Sequence, residues 1–381
     1  MLTETDIAAL TALRRKLHRR PEVSGAEAQT AAVIADALRV LDPDDLIADL
    51  GGHGVAAVFA GAAPGPTVMI RCELDGLPIT DECGVPWASE IPGQGHLCGH
   101  DGHMTMVLGL GRLLSRERPQ RGRVVLLYQP AEEVGSGARA VVADRQFAQI
   151  APDWAFAIHN LPGVPRGAVA MREGLMNPAS QGLQIRLLGK TAHAAEPETG
   201  VSPGVAMAGL IPALAALGTG GEMSDHFRLA TVTHAQLGVP SFGIAPGEAV
   251  INVTLRAASD AALAEMVAAA TVLAADAAAA AGLRVETTDH DVFAASINDT
   301  EAVALAEHAL TGLGIARNEM GVPMRASEDF GVFGHDAKAA MLCLGSGVDH
   351  PALHHPDFDF PDDLIPIGST IFARIVRDLL G

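Results

Sequence analysis

The stretch RVVLLYQPAEE, residues 123–133, places an apolar, β-branched run directly before a proline and two adjacent glutamates. Arg123 to Tyr128 has the length and composition of a buried strand, which Gln129-Pro130 ends. Carboxylates just past such a strand are informative, because open α/β sheets bind ligands at strand ends. The neighbouring runs Gly54 to Phe59, Thr67 to Cys72 and Trp154 to Ile158 have the same character, each closed by Gly, Pro or charged residues. Apolar positions recur at helical spacing from Asp6 to about Val40 and from His103 to Leu114. The alternation predicts an α/β layer fold with a mostly parallel sheet.

Near Asn177 to Ala179 the pattern changes. Gly182 to Leu188 alternates as a half-exposed strand does, and a Gly/Pro-punctuated segment with His193 follows. A helix over about Pro203 to Leu217, strands at Leu229 to Ala235 and Ala249 to Ala257, and an alanine-rich helix from Asp260 that stops at Gly282 complete a small α+β unit. This predicts a domain over residues 179–291 inserted into a discontinuous one over 1–178 and 292–381, where Ala340 to Leu344 reads as a further buried strand.

The chain has 381 residues, enough for two domains, and its 49% hydrophobic and 19% charged content suits compact folding. A formal net charge of −19 repels a phosphate backbone, so nucleic acid is not an expected partner. Met1 to Asp6 is polar and acidic, unlike a signal peptide, and no uninterrupted apolar run reaches membrane-spanning length. The expected location is the cytoplasm, without a membrane partner. Cys72, Cys83, Cys98 and Cys343 have no regular spacing and are expected to be reduced.

Chemistry-bearing residues gather near the strand ends. In Cys98-Gly99-His100 two donors lie two residues apart, and in an extended loop they would point to one side, as a metal requires. A Cys98 nucleophile with His100 as base is the alternative, opposed by Glu132 and Glu133, whose charges would raise the thiol pKa. Because Glu132 and Glu133 are neighbours, their side chains diverge and two roles are natural: one carboxylate on a cation, the other holding the proton of a water. His159 directly follows Ile158, and His354-His355 precedes Pro356 in a loop with Asp349 and His350. Taken singly, the first three read more often as ordinary structure: a buried Cys-x-His pair, a solvated acidic turn, a hydrogen-bonded histidine; the His354-His355 cluster could equally be a surface turn, and here the reading leans towards function. A thiolate with imidazoles and carboxylates would suit Zn, Mn, Co or Ni.

Together, Leu17-His18-Arg19-Arg20-Pro21-Glu22, Arg71 to Pro78, Cys98-Gly99-His100-Asp101-Gly102-His103, Gln129-Pro130-Ala131-Glu132-Glu133, His193-Ala194-Ala195, Ser327-Glu328-Asp329-Phe330 and Leu353-His354-His355-Pro356 span nearly the whole chain. In this order they resemble the metal-dependent aminoacylase and carboxypeptidase family, in the branch containing hippurate hydrolases and indole-acetyl-amino-acid amidohydrolases. The resemblance implies two divalent metal ions held by Cys98, His100, Glu133, His159 and His354, with Glu132 as general base and Asp75 beside the metals. It selects His354 over His355. It also implies that His193, in the inserted domain, approaches the substrate, often across a dimer, and that Arg256 binds the substrate carboxylate. The substrate expected is a small N-acyl amino acid, and the assembly a homodimer or higher homo-oligomer formed through the inserted lid domain. A dipeptidase or carboxypeptidase would use the same apparatus, whereas a non-catalytic metal-binding protein would need no positioned base. Two positions depart from the branch: Glu73 replaces its usual aspartate, and Gly243 its usual asparagine before Ile244-Ala245-Pro246.

Overall fold

A computed structural model describes all residues, Met1 to Gly381. The chain divides into two compact units: Met1–Met176, Ser296–Met324 and Glu328–Gly381 form the first, Asn177–Ala295 and Arg325–Ser327 the second.

The first unit is built on an eight-stranded sheet in the order Asp45–Leu50, Gly54–Ala60, Arg121–Gln129, Ala63–Glu73, Trp154–Pro162, Lys338–Gly347, Val169–Ala170 and Arg317–Asn318. Its four central strands run parallel, and antiparallel pairings are confined to the flanks. Such central strands are covered on both faces, hence the unbroken apolar runs. Their carboxyl ends, at Glu73, Gln129, Pro162 and Gly347, lie at one edge. The periodic stretch Asp6 to Val40 is two helices, Glu4–His18 and Ala28–Arg39, because Pro21 falls between them. The first begins with a reciprocal cap in which the Thr3 hydroxyl accepts from Asp6 N and the Asp6 carboxylate accepts from Thr3 N.

The His100–Arg116 helix, buried along most of its length, packs against Glu4–His18 and the C-terminal helix Leu364–Leu380. Glycines permit that approach: a Cβ on Gly109 would lie 2.1 Å from Ser369 Oγ, and one on Gly368 2.0 Å from Met106 Sδ.

The second unit is an antiparallel four-stranded sheet, in the order Arg228–Leu237, Glu248–Ala257, Ala179–Leu188 and Arg284–Phe293, with helices Gly204–Ala215 and Asp260–Ala280. Alternate residues of the two inner strands, among them Leu183, Ile185, Leu187, Ile251, Val253 and Leu255, share a core with Leu210, Leu214 and Met266. The Asp260–Ala280 helix is long and apolar enough to cross a membrane by length and composition, although Glu265 and Asp276 interrupt its apolar run. Its hydropathy comes from alanines, and the stripe Leu263, Met266, Ala270, Ala274 and Ala278 is buried in this core. None of the four cysteines is in a disulfide.

Candidate metal centre

Four segments of the first unit bring Cys98, His100, Glu132, Glu133, His159 and His354 to the carboxyl edge of the sheet. Ligand atoms of Cys98, His100 and His159 lie within 4.8 Å of one another, as do those of Cys98, Glu133 and His354, and of His100, Glu132 and Glu133.

Each donor is aimed by its backbone. Cys98 and His100 are not on an extended loop as the sequence suggested: Gly99 adopts φ +91° and starts the helix at His100. That left-handed step lets a loop thiol and a helical imidazole converge, and an L side chain rarely adopts it. His159 sits inside the Trp154–Pro162 strand, not past its end. Its Nδ1 faces the Asn160 carbonyl at 2.7 Å, and a carbonyl only accepts, so Nδ1 carries the proton and Nε2 presents a lone pair 3.4 Å from Cys98 Sγ. His100 is oriented likewise, with Nδ1 donating to the Asp75 carbonyl at 2.9 Å. His354, at φ +65°, is anchored by its N–H to the Leu97 carbonyl; it is exposed, as is His355, but its Nε2 faces Glu133.

The two glutamates do diverge. Glu133 Oε1 lies 3.8 Å from His100 Nε2, and Oε2 3.5 Å from His354 Nε2. Its N–H donates to Asp75 Oδ2, which also accepts from Ser24 Oγ at 2.7 Å. Glu132 is buried in a different field: burial first, then the charges of Glu328, Glu133 and Asp329, push its carboxyl well above the usual range. Burial also lifts Glu133, to about 7, against the pull of His100. Burial disfavours a charged His100, yet the Asp75 hydrogen bond and the charges of Glu73 and Glu133 outweigh it and raise the imidazole to about 10. His159 stays neutral, lowered to about 3 by burial and by the charge of His103. Burial, Glu133 and Glu132 push the Cys98 thiol up, which counts against the nucleophile reading.

Behind these donors lies a network that sequence reading missed. Fully buried Arg71 pairs with Glu73, with Glu328 at 2.9 Å and Asp329 at 2.7 Å, and donates from Nε to Gln129 Oε1. Glu73 reaches His103 Nδ1 at 2.7 Å, and His103 Nε2 pairs with Asn160 Oδ1 at 2.7 Å. The Glu73 departure therefore touches the histidine one helical turn from His100. The signals available were the strand-end position of Arg71-Cys72-Glu73 and the motif Ser327-Glu328-Asp329-Phe330; the pairing of the two segments, across more than 250 residues, left none.

Asp75 lies against the donors, its carbonyl 2.9 Å from His100 Nδ1 and its carboxylate accepting from Glu133 N. His193 and Arg256 belong to the second unit. His193 is exposed on a two-residue strand, where it pairs with Ile244, and Ala194 N donates to the Gly243 carbonyl. Arg256 Nη1 donates to Ser327 Oγ and, at 3.2 Å, to the Arg325 carbonyl.

The donor set fits divalent cations. His100 Nε2, Glu133 Oε1 and Asp75 Oδ1 are buried and have no hydrogen-bond partner, an expensive arrangement unless a ligand completes it. Thiol, imidazole and carboxylate together suit a transition metal. Comparison with known proteins agrees, since the profile of Peptidase family M20/M25/M40 matches residues 69–378. The chain belongs to this family. It is 30% identical over 376 residues to an N-acetyl-L-cysteine deacetylase of Bacillus subtilis (strain 168), covering 97% of this chain and 88% of that one. It is 28% identical over 366 residues to an N-acetyldiaminopimelate deacetylase of Exiguobacterium sibiricum, covering 96% and 98%. In fold it is similar to a Bacillus subtilis protein described as a dinuclear metal binding peptidase from the M20 family, with TM-score 0.83, 25% identity and coverage of 100% and 99%. This M20-family chain is thus a hydrolase with amidohydrolase relatives, on the α/β fold with a mostly parallel central sheet that the sequence predicted.

Proposed function

We propose that this M20-family hydrolase cleaves the amide bond of N-acyl amino acids at a dinuclear centre, releasing a carboxylic acid and an amino acid. The observation that carries the reading is the convergence of six donors, with adjacent glutamates in two different environments. Cys98, His100, Glu133, His159 and His354 would hold the two cations, whose Lewis acidity, when bound, acidifies a water and polarises the amide carbonyl. Glu132 takes the proton of the attacking water and delivers it to the leaving nitrogen. Its burial beside Glu328 and Asp329 suits a group that must hold a proton midway. Asp75 orients His100 through its carbonyl and Glu133 through its carboxylate, so one residue aligns two donors.

His193 and Arg256 are the proposed substrate contacts from the second unit, which would serve as the lid and dimerisation domain of a cytoplasmic homodimer. The exposed imidazole of His193 supports this role. Arg256 would have to share with a substrate carboxylate the guanidinium that now serves Ser327 and Arg325. Both full-length relatives compared above are deacetylases by name, which favours an acyl group over a second amino acid.

The test is Glu132→Gln assayed on N-acetyl, N-benzoyl and dipeptide substrates with metal content measured in parallel. The variant should keep its metal and lose about 10²–10⁴-fold in kcat, the usual contribution of a positioned acid–base. Near-normal turnover in a metal-replete variant would remove Glu132 from its role, and exclusive dipeptide cleavage by the wild type would replace the acyl reading.

A further inference from the structure

A second group of metal-ligating side chains lies in the first unit, sharing no residue with the centre above. His18, at the end of the Glu4–His18 helix, meets Asp81 and Cys83 from a loop, with ligand atoms within 4.8 Å of one another. His18 Nε2 is 3.2 Å from Asp81 Oδ2 and 3.9 Å from Cys83 Sγ. A tetrahedral zinc with bonds of about 2.0 Å to nitrogen and oxygen and about 2.3 Å to sulfur needs edges of about 3.3 Å and 3.5 Å. The observed separations lie within a few tenths of an ångström of those edges.

The other imidazole nitrogen supplies an independent observation. His18 Nδ1 lies 2.8 Å from Asp101 Oδ2, with both side chains fully buried, and Arg14 Nε holds the same Asp101 oxygen at 2.8 Å. Arg14 Nη2 also lies 3.3 Å from Nδ1; where Nδ1–H goes to the Asp101 carboxylate, at the shorter 2.8 Å, the Nε2 lone pair faces outward, the arrangement that orients metal-binding histidines. The Asp81 side chain is 1% exposed and keeps lone pairs while accepting from Ser89 N and Cys83 N. Asp359 Oδ1, 4.0 Å from His18 Nε2, is committed to Arg14 and Trp87 Nε1, so a fourth position falls to solvent.

We propose that His18 Nε2, the Asp81 carboxylate and Cys83 Sγ form a third, structural divalent-cation site selective for zinc. A thiolate among the donors favours zinc over magnesium or calcium. The site would tie the loop around residue 83 to the first helix and, through Asp101, to the start of the His100–Arg116 helix. The same groups without a metal make an imidazolium bridging two carboxylates, and the experiment separates the two.

Metal-free protein is reloaded with zinc under a non-coordinating reductant, freed of excess metal, and its zinc per chain measured. Wild type should hold about one ion more than Cys83→Ala or Asp81→Asn, while both variants keep wild-type hydrolysis of an N-acyl amino acid. Zinc should also protect Cys83 from alkylation, read by mass spectrometry of its peptide, and should do so equally in Cys98→Ala. That control separates this site from the catalytic reading, since it disables the centre and leaves the His18 group intact. Equal zinc content in wild type and Cys83→Ala overturns the proposal, as does alkylation of Cys83 at an unchanged rate in zinc.

Discussion

Replacing Gly99 by alanine tests how the Cys98–His100 step is made. Two effects add. At φ +91° and ψ 12° an L residue is strained by about 1–2 kcal/mol. The new methyl would lie 2.1 Å from Asn160 Oδ1, a distance that real contacts do not tolerate, and 3.1 Å from Phe360 Cδ2, a tight contact that needs the ring to give slightly. Asn160 is fully buried and its Oδ1 is engaged with His103 Nε2 at 2.7 Å, so moving it abandons a buried bond at about 1–3 kcal/mol. The sum is about 2–5 kcal/mol. Gly84→Ala is the control, because Gly84 has φ +70° but no atom within 4 Å of the added Cβ, leaving strain alone. Both tryptophans, Trp87 and Trp154, lie in the first unit, so tryptophan fluorescence during urea unfolding reads that unit without interference from the second. Gly99→Ala should lower the midpoint clearly more than Gly84→Ala and should reduce retained metal. Equal shifts in the two variants would refute the close-contact argument.

Removing metal with a chelator should abolish hydrolysis and lower the unfolding midpoint of the first unit, both restored by reloading, because a ligand bound only to the folded state stabilises it; an unshifted midpoint would contradict a buried centre. Leu255→Ala in the second unit should destabilise that unit by about 2–5 kcal/mol, as truncation of a fully buried leucine does, read by hydrogen exchange, with exchange in the first unit unchanged. Asp6 gives a pH-dependent prediction: burial raises its carboxyl, but Arg116, Thr3 and Arg112 outweigh that and hold it well below its ordinary value of 3.8. A depressed folded value stabilises at pH above the ordinary one and is lost as pH falls, so Asp6→Asn should be less stable than wild type at neutral pH and approach it below about pH 4. A gap independent of pH would assign the effect to helix capping alone.

Strands buried on both faces were legible in the sequence because sequence and burial say the same thing there. Val124 to Tyr128 has no polar residue, and every one of its side chains is buried. The edge strand Arg284–Phe293 was not: it reads RVETTDHDVF, mostly polar and exposed, and is held by its ladder to Ala179–Leu188, whereas the opposite edge, Arg228–Leu237, was readable from its run Leu229 to Ala235. The helix Leu364–Leu380 carries Pro366 and Gly368 near its start, which weaken any local helix signal. Its Gly368 is explained only by Met106, far away in sequence. The site divides the same way. Donors at the ends of buried strands were readable, whereas the partners that aim them, Arg71 with Glu328 and Asp329, come together only through tertiary folding.

The glutamate pair shows why that hidden network matters. Ala131 takes φ +49° with its N–H donating to Glu27 Oε1, and Gly137 comes so close to the Pro130 carbonyl that a Cβ there would lie 1.6 Å from it. The turn is thereby fixed, and Glu132 and Glu133 cannot exchange places. Around them Glu73, Asp75, Glu328 and Asp329 are also buried, and Arg71 is the one guanidinium that pairs with any of these carboxylates. Six carboxyl groups with one permanent positive charge are unfavourable in a low-dielectric interior unless protons or cations are drawn in. The raised Glu132, Glu133 and Asp329 are the proton form of that demand. Two divalent cations would meet it from the Glu133 side, where unpartnered nitrogen and oxygen atoms face one another. Glu132, on the Glu328 and Asp329 side, would be left as the carboxylate still poised to take a proton, which is the asymmetry an amide hydrolase needs.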